Sequence, residues 1–288
     1  MYTFLMIPAF APKAHDEIYD HMFEIKEKNN VSISGTGDQV IIFAHGFGCD
    51  QGMWRFVAPA FVDDYKVILF DYTGSGQSII TEYDPKKYSV LEGYAEDIVD
   101  ICQAFEIKDA IIVGHSVSAT IALLASLTAP EHFSQLIHLT PSPYFINDPP
   151  KYMGGFEYTD IEELLDLMDK SYIGWAEYLA PLVIGGQASE LLTGELADSF
   201  CSTEPLIAKN FAKATFLSDH RDSYSKSNLP SLIIHSKVDS LVSIEVGKYL
   251  HNITPNSDFK IIDSVGHCPH MTHPGITVQA IKDYLRNG

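Results

Sequence analysis

The sequence predicts an α/β fold, a mostly parallel sheet flanked by helices and interrupted once by an all-helical insertion. Three observations carry this. Short, nearly continuous apolar runs recur at 39–44, 66–70, 110–113, 135–139, 231–235 and 259–262, the pattern of parallel strands covered on both faces. Helical patterns fill the intervals, and that alternation builds a parallel sheet wrapped by helices. Between about 145 and 215 the strand pattern stops and only helical spacing remains.

The chain opens on MYTFLMIPAFAP, which is apolar but has no basic residue ahead of the apolar stretch and is broken by Pro8 and Pro12; it does not match a secretory signal. Regular periodicity begins after Met22, so residues 1–21 are expected to be an N-terminal extension of a core formed by 22–144 and 216–288. The first run, QVIIFA, leads into HGFGCD, where Gly46 and Gly48 permit a tight turn. The second ends at FDYTGSGQS, a turn that contains neither GxGxxG nor GxxxxGK[ST] and so no phosphate cradle. Residues 88–106 then place Leu91, Tyr94, Ala95, Ile98, Val99, Cys102 and Phe105 on one stripe, with Glu92, Glu96, Asp97 and Asp100 off it, an amphipathic helix. DAIIVGHS reads as a buried strand and VSATIALLASL as a buried helix, with Ser116 at the junction. After QLIHL comes the helical stretch 145–215, where Ile161, Leu164, Leu165 and Met168 lie at helical spacing and twelve acids face four lysines. Its position between two strands predicts a cap over the carboxyl ends of the sheet, where open α/β sheets bind ligands. SLIIH and FKII supply the last strands, and 274–286 a terminal helix.

The 288 residues are 46% hydrophobic and 20% charged, an ordinary globular composition. The four cysteines, Cys49, Cys102, Cys201 and Cys268, have no CxxC spacing, which suggests a reducing, cytoplasmic setting over a disulfide scaffold. A net charge of −19 argues against nucleic acid and anionic membrane surfaces as partners. No run of 18 apolar residues is present in the sequence, so no spanning helix is expected.

The strand–serine–helix junction is the nucleophile-elbow pattern. A serine hydroxyl near neutral pH needs a base, and the base needs an orienting anion. On this architecture the chain order is Ser, acid, His. Asp239 follows the strand SLIIH, and His267 follows FKII in a loop that Gly266 lets turn. Ser116, Asp239 and His267 are therefore the expected catalytic residues. The oxyanion needs donors in place before reaction; the backbone N–H groups of Val117, after the nucleophile, and of Phe47, in the glycine loop after the first strand, are the candidates. Phe47, Phe156, Trp175 and Phe216 are the expected apolar wall of the substrate pocket. His45, His115, His270 and His273 show no metal-ligand spacing, and no metal or cofactor is expected. Cys268, beside His267, reads as a small buried apolar residue.

HGFGCDQ, FDYTGSGQS, GYAEDIVDICQA, VGHSVSA, TPSPYFINDPPKYMGGFE, SYIGWA, FCSTEP, FLSDHR, VGKYLH and GHCPHMTHP together resemble the RsbQ-like α/β-hydrolases, a group that includes the karrikin and strigolactone receptors of plants. The resemblance runs from about residue 31 to 286. It implies the α/β-hydrolase fold with a four-helix cap over a small hydrophobic pocket. It also implies nucleophile, acid and base at Ser116, Asp239 and His267, and slow hydrolysis of a small ester or butenolide-like ligand. The partner it implies is a phosphatase with a PAS sensor domain in a stress-signalling role, the chain being a monomer or weak dimer. A plain small-molecule carboxylesterase is the alternative, and a cofactor-free lyase or oxygenase on the same fold a weaker one. One position departs from the pattern: Ser118 stands where the elbow usually has its last glycine. Its hydroxyl can bond back to a helical carbonyl, and a slightly shifted helix without loss of catalysis is expected.

Overall fold

The computed structural model describes residues 14–185 and 190–287. Seven strands form one sheet: β1 (Ser32–Ser34), β2 (Val40–Ala44), β3 (Lys66–Leu69), β4 (Ala110–His115), β5 (Phe133–Leu139), β6 (Ser231–Val238) and β7 (Ser257–Val265), in spatial order β1-β3-β2-β4-β5-β6-β7. Only β1 is antiparallel to its neighbour; every other pairing is parallel. Alternate residues of one strand enter different cores. Ile41, Phe43, Ile111 and Val113 pack on one face, Ile42, Ala44, Ala110 and Ile112 on the other. This is why the strands read as unbroken apolar runs.

Helices α1 (Ala14–Lys28), α2 (Leu91–Ala104) and α3 (Val117–Thr128) border one face, contributing Ile25, Tyr94, Ile98 and Ile121 to its core. Between β5 and β6 the chain forms α4 (Tyr158–Lys170), α5 (Tyr172–Ile184), α6 (Glu190–Ser202) and α7 (Pro205–Leu217). Ile161, Trp175, Leu196 and Phe216 of these four helices join the core on the opposite face, with Trp54, Phe61 and Ile281. A short helix, α8 (Arg221–Tyr224), precedes β6. Then come α9 (Ile244–Ile253), the one-turn α10 (Pro269–Thr272) and the terminal α11 (Pro274–Asn287). No helix among the described residues is long and apolar enough to cross a membrane.

Two boundaries differ from those expected. The extension expected to end at residue 21 is crossed by α1, and residues 1–13 lie outside the described residues. The C-terminal end of α1 is fastened to the core by charge. Asp97, fully buried, accepts from Lys28 Nζ (3.2 Å), Tyr88 Oη (2.7 Å) and the Thr73 N–H (2.9 Å). Burial alone would lower the Lys28 ammonium, but Asp97 and Asp100 outweigh it and raise its pKa. A buried carboxylate is tolerated only when it is paired and hydrogen-bonded in this way. At the other boundary, α7 runs through residues 215 and 216, since nothing in PLIAKNFAKATFL breaks a helix after its first-turn proline.

His138 of β5 is fully buried, its ring 5.4 Å from that of Tyr224. Burial pushes its imidazole down to about 4, against ~6.5 in an unfolded chain. The native state therefore stays neutral there while the unfolded chain gains a proton as pH falls. The stability contribution is whole above about pH 6.5 and lost progressively towards pH 4. In urea melts, His138→Phe is expected to flatten the dependence of unfolding free energy on pH near pH 5 by about 1 kcal/mol per pH unit; an unchanged slope would count against a neutral His138.

Candidate active site

The carboxyl ends of the parallel strands bring together residues far apart in sequence. Ser116 follows β4 directly and holds φ 55°, ψ −122°, a left-handed conformation that a non-glycine residue adopts at a cost of about 1–3 kcal/mol. The surroundings over-determine it. The Ser116 N–H donates to the Leu139 carbonyl at 2.9 Å. At Gly114 a Cβ would lie 2.2 Å from the Ser118 carbonyl oxygen, so glycine lets α3 fold back against β4.

Asp239 follows β6, and its side chain is fully buried. Its Oδ1 accepts from the N–H groups of Leu241 (2.9 Å) and Val242 (3.0 Å). Its Oδ2 accepts from His267 Nδ1 at 2.8 Å. Burial would raise this carboxyl, but His267 and the two N–H donors outweigh it and hold its pKa below the ordinary carboxylate value. Because Nδ1 donates to the carboxylate, Nε2 carries the lone pair. That nitrogen lies 2.8 Å from Ser116 Oγ and accepts its proton. The backbone of His267 is held as tightly. Its N–H donates to the Val183 carbonyl (2.7 Å), and its own carbonyl accepts from His115 Nε2 (2.9 Å) and Thr140 Oγ1 (3.0 Å). Gly266 has φ 96°, and a Cβ there would stand 2.0 Å from the Ile184 carbonyl oxygen, so the loop lies directly on the end of α5.

Of the two residues expected to supply oxyanion donors, Val117 follows the serine directly and Phe47 lines the cavity into which the serine opens. Val117 is the first residue of α3, and its N–H is among the four that a helix leaves without an intrahelical acceptor. Phe47 lies beyond β2 in a loop fixed by an inner network. Ser118 Oγ donates to the His45 carbonyl and accepts from Tyr72 Oη at 2.9 Å. His45 Nδ1 donates to the Gly46 carbonyl (2.9 Å), and its Nε2 accepts from the Tyr72 N–H (3.2 Å). Burial lowers the His45 pKa, which suits the neutral ring those roles require. The Ser118 hydroxyl thus bonds to the loop that carries Phe47 instead of to a carbonyl of its own helix, because Tyr72 and His45 come within reach across β2 and β3.

Ser116 and His267 open into a cavity of about 30 Å3 lined by Phe47, Phe145, Leu179, Val183, Phe200 and Phe216, with His115, Cys49 and Cys268 also at its wall. Two of the four expected wall residues, Phe47 and Phe216, stand there. Trp175 stands one layer back, its ring 5.9 Å from that of Phe47, because α5 turns Leu179 and Val183 inward instead. Phe156 lies in a separate outer groove of about 790 Å3, which shares the wall Leu179, Phe216 and Leu241 with the inner cavity. Sequence reasoning missed Phe200, whose ring is 6.1 Å from that of Phe47; a stripe on α6 facing the first glycine loop was the available signal.

The profile of the α/β-hydrolase fold family matches residues 39–274. A karrikin insensitive 2 receptor of Petunia hybrida is 36% identical over 264 residues, covering 91% of this chain and 97% of that protein. A strigolactone esterase of Arabidopsis thaliana is 32% identical, with 91% and 97% covered. Among solved structures, a hydrolase from Oleispira antarctica superposes with a TM-score of 0.91 at 48% identity, covering 93% of this chain and 98% of that one. With the fold, the elbow and these relatives in agreement, the chain belongs to the α/β-hydrolase fold family, in its RsbQ-like group with the karrikin and strigolactone receptors.

Proposed function

We propose that this hydrolase is a serine hydrolase that opens small hydrophobic esters or lactones through Ser116, His267 and Asp239. The observation that carries the reading is the unbroken line of hydrogen bonds from Asp239 through both nitrogens of His267 to Ser116 Oγ, each 2.8 Å long, at the floor of an apolar cavity. His267 takes the Ser116 proton as Oγ attacks the ligand carbonyl. Asp239 holds the ring in the productive tautomer and stabilises the imidazolium that forms. The N–H groups of Phe47 and Val117 receive the negative oxygen of the tetrahedral intermediate, in a setting where one such donor is worth about 10²–10³ in rate. His267 then protonates the leaving alkoxide. Water, activated by the same nitrogen, releases the acyl group.

In this reading α4–α7 form a cap, residues 145–215, and the chain serves in the cytoplasm as a stress-signalling receptor, a monomer or weak dimer, that acts on a PAS-domain phosphatase. The relatives named as receptors support the signalling arm. So does the direct hydrogen bonding of α5 to the loops of Asp239 and His267. If titration calorimetry with a PAS-domain phosphatase from the same organism gives no heat, with or without ester, the plain carboxylesterase is the better reading.

Ser116→Ala is expected to lower kcat for p-nitrophenyl acetate by at least 10³-fold and to abolish labelling by a fluorophosphonate. Activity within tenfold of the parent would remove Ser116 from the reaction. Asp239→Asn, with the fold retained by circular dichroism, is expected to cost about 10²–10⁴ in kcat.

The oxyanion loop gives a separate expectation. Ser118→Ala removes the only hydroxyl that joins Tyr72 to the His45 carbonyl among the bonds described above. The expected result is a fall of about tenfold in kcat with KM within threefold, since misplacing a donor weakens the transition state more than the ground state. A change in KM alone would place Ser118 in ligand binding instead.

A further inference from the structure

We propose that Thr215 is a specificity-determining residue of the inner cavity, its hydroxyl donating a hydrogen bond to a second oxygen on the acyl side of the ligand. The proposal rests on the hydrolase reading for what the cavity holds. Thr215 lies on α7, just before Phe216, and lines the cavity into which Ser116 and His267 open. It is 4% exposed. Its Oγ1 is buried and has no hydrogen-bond partner among the described residues.

A threonine in a helix can return its hydroxyl to the carbonyl one turn back. Other hydroxyls on the helices of this chain do so. Thr128 donates to the Leu124 carbonyl (2.9 Å), Thr277 to that of His273 (3.1 Å) and Ser218 to that of Ala214 (2.6 Å). Thr215 makes no such bond to Phe211, one turn before it, so its proton is uncommitted. Native interiors satisfy almost all buried polar groups, and an exception calls for an explanation. At the wall of a ligand cavity that explanation is the ligand.

The other polar residues of this wall are already engaged. Ser116 and His267 bond to each other at 2.8 Å. His115 donates through Nε2 to the His267 carbonyl, and Gly46 packs over its Nδ1, where a Cβ would stand 2.5 Å away. The thiols of Cys49 and Cys268 are weak donors. Among the described residues of the wall, the Thr215 hydroxyl is thus the strong donor that neither the reaction nor the fold uses. The size of the cavity limits where the acceptor can be. About 30 Å3 holds roughly two water molecules, so the second oxygen lies about two or three bonds from the reacting carbonyl. An ester with an alkoxy group next to its carbonyl, or a lactone with an ether oxygen equally close, has that form. An acyl chain of the same shape without the oxygen leaves the hydroxyl unpaired, which the site disfavours. The hydroxyl is covered in the unliganded chain. Phe216 beside it faces both the cavity and the outer groove, and a ligand that displaces this ring gains access to it.

The parent chain, Thr215→Val, Thr215→Ala and Thr215→Ser are compared on p-nitrophenyl methoxyacetate and p-nitrophenyl butyrate, whose acyl chains have the same length and differ by one ether oxygen. The ratio of kcat/KM for the two esters is taken in each protein, so their unequal intrinsic reactivity cancels between proteins. Thr215→Val and Thr215→Ala are expected to lower the methoxyacetate-to-butyrate ratio about tenfold. Thr215→Ser, which restores the hydroxyl, is expected to keep it within about threefold of the parent. A ratio unchanged in both variants that lack the hydroxyl, or a loss shared equally by the two esters, would overturn the proposal and leave Thr215 as packing or the seat of an ordered water. Binding is read separately by ligand-observed NMR with methoxyacetone and 2-pentanone, the corresponding pair of ketones. The parent is expected to prefer methoxyacetone by about tenfold more than Thr215→Val does, and an equal preference would overturn the proposal. Hydrolysis of neither ester by the parent would fall on the hydrolase reading, and the ketone pair would then decide the role of Thr215 by itself.

Discussion

The fold converges on the backbone of one residue, His267. Its imidazole can bridge an acid and a serine only because its main chain is pinned from three elements at once. The Val183 carbonyl takes its N–H, and His115 and Thr140 donate to its carbonyl. The α5 contribution has a simple origin. A helix leaves its last four carbonyls without intrahelical donors, and in α5 two of these are satisfied by the loops beneath it. Leu182 accepts from Ser240 Oγ, beside Asp239, and Val183 from the His267 N–H. The end of one helix in the insertion thus organises both the acid loop and the base loop. An insertion that merely shielded the sheet would need no such bonds.

Backbone strain gathers where these bonds are densest. Ser116 and Thr140, at the ends of neighbouring strands, both hold positive φ. Each is locked through the next strand: the Ser116 N–H donates to the Leu139 carbonyl and the Thr140 N–H to the Ile234 carbonyl at 2.8 Å. Strain of about 1–3 kcal/mol per residue persists only where neighbours over-determine the conformation. Here the parallel sheet supplies the neighbours, since each strand end is the template for the one beside it.

The legible and illegible parts of this chain divide along physical lines. Strands buried on both faces must be apolar at every position, so β2 and β4 stand out from QVIIFA and DAIIV. The elbow was legible because a strand, a serine and an apolar helix follow without a gap. β1 was not, because Ser32, Ile33 and Ser34 are all exposed on an edge and carry no alternation. The extent of α1 was hidden because it is held by an ion pair to Asp97, and charge pairing leaves no periodic trace. The position of Ser118 was noticed but its partner was misread, since Tyr72 and the His45 carbonyl reach it across two other strands. Phe200 was overlooked for a related reason: its place on α6 was readable, but not that α6 would bring it against Phe47. Contacts made across the top of a sheet depend on strand order, which local pattern does not encode.

Reaction geometry and binding space are prepared to different degrees. The Asp239–His267–Ser116 line is complete in the unliganded chain, yet the cavity above it measures about 30 Å3, against roughly 300–1,000 Å3 for ordinary ligand pockets. A ligand must therefore displace part of the wall to reach the serine. The portion it meets from the outer groove is Leu179, Phe216 and Leu241, which face both spaces. Leu179 is on α5, whose Leu182 and Val183 carbonyls hold the loops of Asp239 and His267, and Phe216 is on α7. Any ligand large enough to fill the site thus acts first on the helical layer. The layer can respond only to the extent that the ligand prefers one arrangement of it over another. A small cavity under a helix bonded to the loops of Asp239 and His267 ties any such preference to the fit of the ligand against that layer.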